Sequence, residues 1–174
     1  SFRDLTLVAG TIGDYAAMVV SKDSPINSMA DLVAAYDADP SSTAIGGGSV
    51  PGGMDHLVAA MTMEAAGKDA LVVKYMPYDA GGKAMAALLS GEISALSTGF
   101  SEAVDLANAG EVKIIGVTSS ERVSAAPDAK TMIEQGIDTT FVNWRGFFGA
   151  PGLPADKLAQ YQAALEKMYD TPEW

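Results

Sequence analysis

The amino-acid sequence predicts an α/β fold in which a mostly parallel β-sheet is flanked by helices. Short apolar runs alternate with segments whose apolar residues recur at helical spacing, as they do in βαβ units. Glycine-rich loops separate some of the predicted strands from the helices that follow them. Over 174 residues, 48% of the chain is hydrophobic and 19% is charged, which is enough apolar material for a packed core.

The predicted strands are apolar runs bounded by turn residues. They cover residues 5–9, 16–20, 43–45, 71–75, 93–96 and 112–117, and residues 142–150 form a further strand or an irregular crossing segment. The predicted helices follow the 3.6-residue period. They cover residues 29–38, 55–66, 83–89, 100–108, 130–135 and 154–169.

Local signals predict several helix ends. Ser28 is a good N-cap for the first helix, and Asp31 follows it at a spacing close to that of a capping box. Gly67 and Gly136 are placed to end helices, and Pro154 is placed to begin the last one.

Composition excludes several classes of function. With 11 basic and 22 acidic residues the formal net charge is −11, so nucleic acid is not an expected partner. The chain has no cysteine, which excludes disulfides, thiolate metal sites and a cysteine nucleophile. No stretch approaches the ~18 apolar residues of a membrane-spanning helix, so we expect a soluble segment without direct membrane insertion.

Two glycine-rich loops each lie between a predicted strand and a predicted helix. They cover residues 46–56 and 78–83. In open parallel sheets ligands bind at the carboxyl ends of the strands, where unpaired N–H groups at helix N-termini attract anions. Each loop taken alone is equally well explained as a tight turn, whereas the two together favour a carboxylate or phosphate site.

Known nucleotide and nucleophile motifs are not matched. The third glycine of a dinucleotide-binding fingerprint, and the last glycine of a nucleophile elbow, would both fall at Pro51. A phosphate-binding loop ending at Lys83 would need glycine at Pro77 and a hydroxyl residue at Ala84. No cofactor is therefore expected.

Isolated polar residues have both structural and functional interpretations. His56 is the only histidine, and a helix-start packing role is favoured over a triad with Ser49. With one histidine and no cysteine, a nitrogen or sulfur metal site is not expected. For Asp55 the favoured interpretation is stabilisation of its helix N-terminus, and the alternative is a hydrogen bond that orders the loop or accepts from a ligand hydroxyl. Arg145 either pairs with a ligand carboxylate or, as the favoured interpretation, with a surface acid.

Six segments of this chain resemble one protein family. They are GGGSVPGGMDH, MPYDAGGKAMAALLSGEISA, GEVKIIGVTSSER, TMIEQGID, VNWRGFFGAPGLP and TPEW, in that order. Together, from about Leu7 to Trp174, they resemble the substrate-binding proteins of tripartite tricarboxylate transporters, most closely the tricarboxylate-binding branch. Each segment alone is a weak signal, and the order of all six is specific.

The resemblance implies a two-lobed periplasmic-binding-protein-like fold that closes on a di- or tricarboxylate and delivers it to membrane permease subunits. It implies a periplasmic protein, made as a secreted precursor whose signal peptide is not in this chain, and no enzyme. The resemblance assigns residues 20–144 to the second ligand-binding lobe, and 1–19 and 145–174 to the hinge and incomplete pieces of the first lobe. Because the first-lobe ligand loop of the family precedes the matched part, we expect the chain alone to bind weakly.

The resemblance also implies a set of ligand-binding residues in three strand-to-helix loops. They are Gly48, Ser49, Gly52, Gly53 and Asp55 in the first loop, Tyr78, Gly81 and Gly82 in the second, and Thr98, Gly99 and Phe100 in the third.

Two other functions are compatible with the sequence. One is a small α/β hydrolase that uses Ser49 and His56, and the other is a carboxylate-sensing lobe of a signalling system. Ser49→Ala separates the hydrolase from the binding protein. A binding protein should lose affinity worth about 1 kcal/mol, whereas a hydrolase should lose almost all turnover. Calorimetric titration with a carboxylate and an esterase assay on the same variant measure both outcomes.

Overall fold

The computed structural model describes residues 2–172 and residue 174. Six strands are present in this part: β1 (Thr6–Ser21), β2 (Ile45–Gly47), β3 (Tyr75–Pro77), β4 (Ala95–Gly99), β5 (Val112–Val117) and β6 (Val142–Gly149). Five helices accompany them: α1 (Met29–Ala38), α2 (Met54–Ala65), α3 (Gly81–Leu89), α4 (Phe100–Asn108) and α5 (Ala155–Tyr169). Short 3₁₀ turns occur at Phe2–Asp4, Ala70–Val72 and Ile133–Gln135.

The sheet has the strand order β3-β2-β4-β1-β5, and β6 pairs with β1 outside this path. Strand β2 is parallel to both β3 and β4, whereas β1 is antiparallel to β4 and β5. Strands β2 to β5 therefore share one direction and β1 opposes them, which confirms the predicted α/β class with a mostly parallel sheet.

The chain divides into two compact units. One contains residues 14–143, and the other combines residues 1–13 with 144–174. In the smaller unit, α5 is joined to β1 by side-chain hydrogen bonds: the amide of Gln162 donates to the Val8 carbonyl, and the Tyr169 hydroxyl donates to the Gly10 carbonyl, each at 2.9 Å. The assignment of residues 20–144 to a second ligand-binding lobe stays a prediction.

In the larger unit the sheet is buried on both faces. Side chains of β1 alternate between the faces, because successive residues of a strand point to opposite sides. Val19 packs in a cluster with Leu96 and the apolar residues of α3 and α4. Met18 packs in the opposite cluster with those of α1 and α2. The result is a three-layer α/β/α arrangement in which the carboxyl ends of β2, β3 and β4 share one edge with the N-termini of α2, α3 and α4.

Several predicted elements differ from the structure. The strand predicted at 43–45 is displaced, since β2 runs from Ile45 to Gly47. The runs at 5–9 and 16–20 belong to one strand, β1, because strand pairing continues through the polar residues between them. The predicted strand at 71–75 was wrong in position, because strand pairing begins only at Tyr75. The Asp69 carboxylate accepts a hydrogen bond from the Leu71 amide at 3.0 Å and starts a 3₁₀ turn in the segment before it. The predicted helix at 130–135 is reduced to the turn Ile133–Gln135.

The described part of the chain has no helix that combines the length and the apolar character needed to cross a lipid bilayer.

The predicted cap of α1 is present. The Ser28 hydroxyl accepts a hydrogen bond from the Asp31 amide at 3.1 Å, and the Asp31 carboxylate accepts one from the Asn27 amide at 2.9 Å. This pair of bonds satisfies donors that a helix start would otherwise leave unpaired.

Removal of this cap should destabilise the fold. We expect Ser28→Ala to lower the free energy of unfolding by about 1 kcal/mol, because an N-terminal amide loses its acceptor. Urea unfolding followed by circular dichroism measures the change. Ser120→Ala, at an exposed position, is the control and should stay within about 0.5 kcal/mol of the parent. Equal stabilities for all three proteins would contradict the assigned cap.

Candidate ligand-binding site

Three strand-to-helix loops open at one edge of the sheet. Strands β2, β3 and β4 are parallel neighbours, so their carboxyl ends lie together, and α2, α3 and α4 begin there. Strand β1 runs the other way, and its pairing of Ala16 with Gly99 brings Asp14 to the same edge. All of these residues belong to the unit formed by residues 14–143.

None of the three helices at this edge is capped by the side chain of its own N-cap residue. Their N-cap residues are Gly53, Ala80 and Gly99, and none of them makes a side-chain capping bond. At the start of α3, the amides of Lys83 and Ala84 both donate to the Ala80 carbonyl. The amides before them occupy positions for which a helix has no internal acceptor, so they suit an anion.

The first two glycine-rich loops are in direct contact. A Cβ atom added to Gly48 would lie only 2.7 Å from the Ala80 carbonyl carbon and from the Gly81 Cα, and would also overlap the Gly81 nitrogen. Any residue larger than glycine at position 48 would therefore force the loop after β2 away from α3. This contact holds the backbone at Gly48 against the first turn of α3.

A buried carboxylate organises the first loop. The Ser49 hydroxyl donates to Asp55 Oδ2 at 2.8 Å and accepts from the Asp55 amide at 3.4 Å. The Tyr75 hydroxyl donates to the Ser49 carbonyl at 2.8 Å. Gly52 has a φ of +84°, and its amide donates to Nδ1 of His56 at 2.8 Å. The His56 ring stacks on Tyr75 with 4.7 Å between centroids.

This arrangement changes the acid–base properties of two side chains. Burial raises the pKa of Asp55, the Ser49 hydroxyl opposes that change, and the nearby Glu102 carboxylate raises the pKa further. Burial, together with the negative charge of Asp55, raises the pKa of Tyr75 to about 12. Tyr75 therefore stays a hydrogen-bond donor at neutral pH.

Polar groups at the third loop already have hydrogen-bond partners among neighbouring residues. The Thr98 hydroxyl donates to Glu102 Oε2 at 2.7 Å. Asp14 accepts from the Ser101 hydroxyl at 2.8 Å and from the Ser101 amide at 3.3 Å, so it acts as a remote cap for α4. Phe100 is buried in the core.

Only some of the predicted site residues lie close together in the structure. It brings Gly48, Ser49, Asp55 and Gly81 together at the meeting of the first two loops, and Gly82 and Thr98 line an adjoining depression. The Tyr78 side chain turns away, since its hydroxyl donates to Glu92 Oε1 at 2.9 Å.

Three polar residues at this edge were not predicted from the sequence: Asp14, Ser101 and Glu102. Asp14 could have been noticed in the sequence as an acidic residue beside an apolar strand segment. Its hydrogen-bond partner, Ser101, lies 87 residues away in the chain, so the sequence did not show that the two meet. Arg145 lies in the smaller unit, where its carbonyl accepts from the Thr11 hydroxyl at 3.1 Å.

The geometry does not support a hydrolytic centre at Ser49. Its hydroxyl donates to Asp55, and Nδ1 of His56 is already engaged by the Gly52 amide. A Ser49–His56 pair would need a hydrogen bond from the Ser49 hydroxyl to the imidazole, and the Ser49 hydroxyl is instead bonded to Asp55. Among the described residues, no group of three or more His, Cys, Asp or Glu side chains is placed to hold a metal ion.

The raised pKa of Asp55 predicts a specific pH dependence of stability. Since the folded state holds this proton more tightly, the contribution of Asp55 to the free energy of unfolding falls as pH rises from 3.8 through the raised pKa. The Asp55→Asn variant has no carboxyl at this position, so its free energy of unfolding lacks this decrease. Its stability relative to the parent should therefore increase as pH rises through the same range. Urea unfolding at a series of pH values between about 3 and 7 measures the difference.

Asp31→Asn is the control of opposite sign. The Asn27 amide and the Ser28 hydroxyl lower the pKa of Asp31, so its stabilising effect is present above 3.8 and is lost as pH falls through the lowered value. The stability of Asp31→Asn relative to the parent should therefore decrease as pH rises. A pH-independent difference for Asp55→Asn would contradict the assigned environment of that carboxyl.

Comparison with known proteins agrees with this architecture. Among curated proteins, the chain is 25% identical over 172 residues to a UPF0065 protein of Cupriavidus necator, a match that covers 99% of this chain and 51% of that protein. The chain spans about half the length of the curated relatives it matches.

Solved structures share the fold. A TctC solute-binding protein from Polaromonas, without ligand, is 26% identical with a TM-score of 0.76, and the match covers 99% of this chain and 58% of that one. MatC from Rhodopseudomonas palustris, with bound malate, is 21% identical with a TM-score of 0.83, covering 97% and 56%. A second R. palustris protein, with adipate, is 20% identical with a TM-score of 0.84, covering 98% and 56%.

The family model for the tripartite tricarboxylate transporter family receptor matches residues 1–174. The proteins of this family are receptors, so the prediction of a binding protein is confirmed at the level of the family. With a match over its whole length and a fold shared with a TctC solute-binding protein, this chain belongs to the tripartite tricarboxylate transporter receptor family.

Proposed function

We propose that this chain binds a small carboxylate at the edge where the loops after β2 and β3 meet. The observation that carries the proposal is the contact of Gly48 with the first turn of α3, which brings the backbones of the two loops together. The starts of α2 and α3, whose own N-cap residues make no side-chain bond, supply partial positive charge there. The basic side chain in the first turn of α3, Lys83, is paired with Asp79. A ligand carboxylate supplies acceptor oxygens for the amides that precede Lys83 at the start of α3.

The biological role we propose is that of a periplasmic solute receptor that delivers its ligand to the permease subunits of a tripartite transporter. Membership of the receptor family supports this role. In the proposed division, residues 20–144 form the second ligand-binding lobe, and residues 1–19 and 145–174 belong to the hinge and the first lobe.

The ligand class we propose is a di- or tricarboxylate. Two proteins of similar fold contain bound dicarboxylates, malate in one and adipate in the other. We therefore include dicarboxylates together with the citrate-like ligand expected from the sequence. Both classes present at least two carboxylates, and the two loops at this edge can contact one of them.

A ligand screen tests the proposal directly. We expect malate, adipate or citrate to raise the melting temperature of the chain in a concentration-dependent way, because a ligand that binds only the folded state stabilises it. Phosphate and neutral amino acids serve as controls. A response to one of these controls, with none to any carboxylate, would contradict the proposed ligand class.

A matched pair of glycine variants tests the location. Gly48→Ala should weaken carboxylate binding by about tenfold or more, corresponding to ~1.4 kcal/mol, because its Cβ separates the two loops. Gly82→Ala should leave binding within about twofold, since a Cβ there meets no atom within 4 Å and the amide is kept. Isothermal titration measures both. Unchanged binding in both variants would place the site elsewhere.

A further inference from the structure

The Glu102 carboxylate lies against the first turn of α3. Its Oε2 atom accepts the hydrogen bond of Thr98 at 2.7 Å, and a Cβ added to Gly81 would be 2.5 Å from that same oxygen. Helix α3 has no acidic residue in its own first turn. Glu102, which α4 contributes, therefore supplies the negative charge that a helix N-terminus attracts.

Glu102 also belongs to the surroundings of the proposed carboxylate site. With Gly81, Gly82 and Thr98 it lines one depression, whose apolar walls are Met85 and Leu106. Its charge reaches the first loop as well, since it raises the pKa of Asp55. A ligand carboxylate that approaches the start of α3 therefore meets a carboxylate already in place.

We propose that Glu102 is a specificity-determining residue that acts as an internal anion at the start of α3 and disfavours ligands of high negative charge. This inference rests on the proposed function and concerns the same site. Because like charges repel and the penalty grows with each added charge, citrate should be disfavoured more strongly than malate. Glu102 thus favours dicarboxylates over tricarboxylates.

Glu102→Gln isolates the charge from the shape of the side chain. Glutamine keeps a side-chain oxygen that accepts the Thr98 hydrogen bond, so the contact with Gly81 can persist without the negative charge. Glu64→Gln is the matched control. It removes one negative charge from an exposed residue near the opposite end of α2, away from the three loops.

The experiment is an NMR titration of the ¹⁵N-labelled 174-residue chain with malate and with citrate, which gives dissociation constants even for weak binding. For Glu102→Gln we expect malate to bind about threefold more tightly and citrate about tenfold more tightly, with both gains reduced at high salt. Glu64→Gln should bind both ligands within about twofold of the parent.

The possible outcomes separate the inference from the proposed function. Unchanged binding by Glu102→Gln would overturn the inference while leaving the carboxylate site in place. Weaker malate binding would also overturn it, since Glu102 would then accept a hydrogen bond from the ligand. The absence of spectral changes with either ligand in all three proteins would contradict the proposed function and, with it, this inference.

A second measurement needs no ligand. The pKa of Asp55, followed by carboxyl ¹³C NMR, should fall in Glu102→Gln because a neighbouring negative charge has been removed. It should stay at the parent value in Glu64→Gln. An unchanged Asp55 pKa in Glu102→Gln would overturn the electrostatic effect on which the inference depends.

Discussion

The close contact between Gly48 and the first turn of α3 is the constraint on which the proposed site depends. Parallel pairing of β2 with β3 brings the two loops near one another, and only a residue without a side chain lets their backbones touch. The Ser49–Asp55 hydrogen bond and the Tyr75 hydroxyl then hold the first loop in this position. The backbones of both loops are thereby held in place before any ligand arrives, which lowers the ordering cost of binding.

Local dipoles rather than net charge explain how so acidic a chain can bind an anion. The chain has a formal charge of −11, and Asp14, Asp55 and Glu102 all lie at the edge that we propose as the site. Each of these carboxylates has donors from the protein itself: Ser101 for Asp14, Ser49 for Asp55 and Thr98 for Glu102. Asp14 thereby occupies the start of α4. The proposed site is therefore formed by the starts of α2 and α3. Glu102, beside α3, is the negative charge that competes there with a ligand carboxylate.

Much of this architecture follows from the sequence, because local signals carry it. The Ser28 cap, the helix at 100–108 and the strand at 112–117 depend on residues close together in the chain, and the structure contains all three. The glycine loops were recognisable because glycine is needed where backbones approach closely. Prediction failed where distant pairing decides the outcome. The continuity of β1 depends on partner strands far along the chain, and the positions of Asp14 and Glu102 depend on which helix starts beside which strand.

A crystal structure of the chain with bound malate tests the central claim most directly. The account predicts one malate carboxylate at the junction of the two loops, with its oxygens within about 3.2 Å of backbone nitrogens of the Gly48–Ser49 loop and of the first turn of α3. The Gly48–Gly81 contact should be retained. Malate bound away from this edge, with both loops unoccupied, would contradict the account.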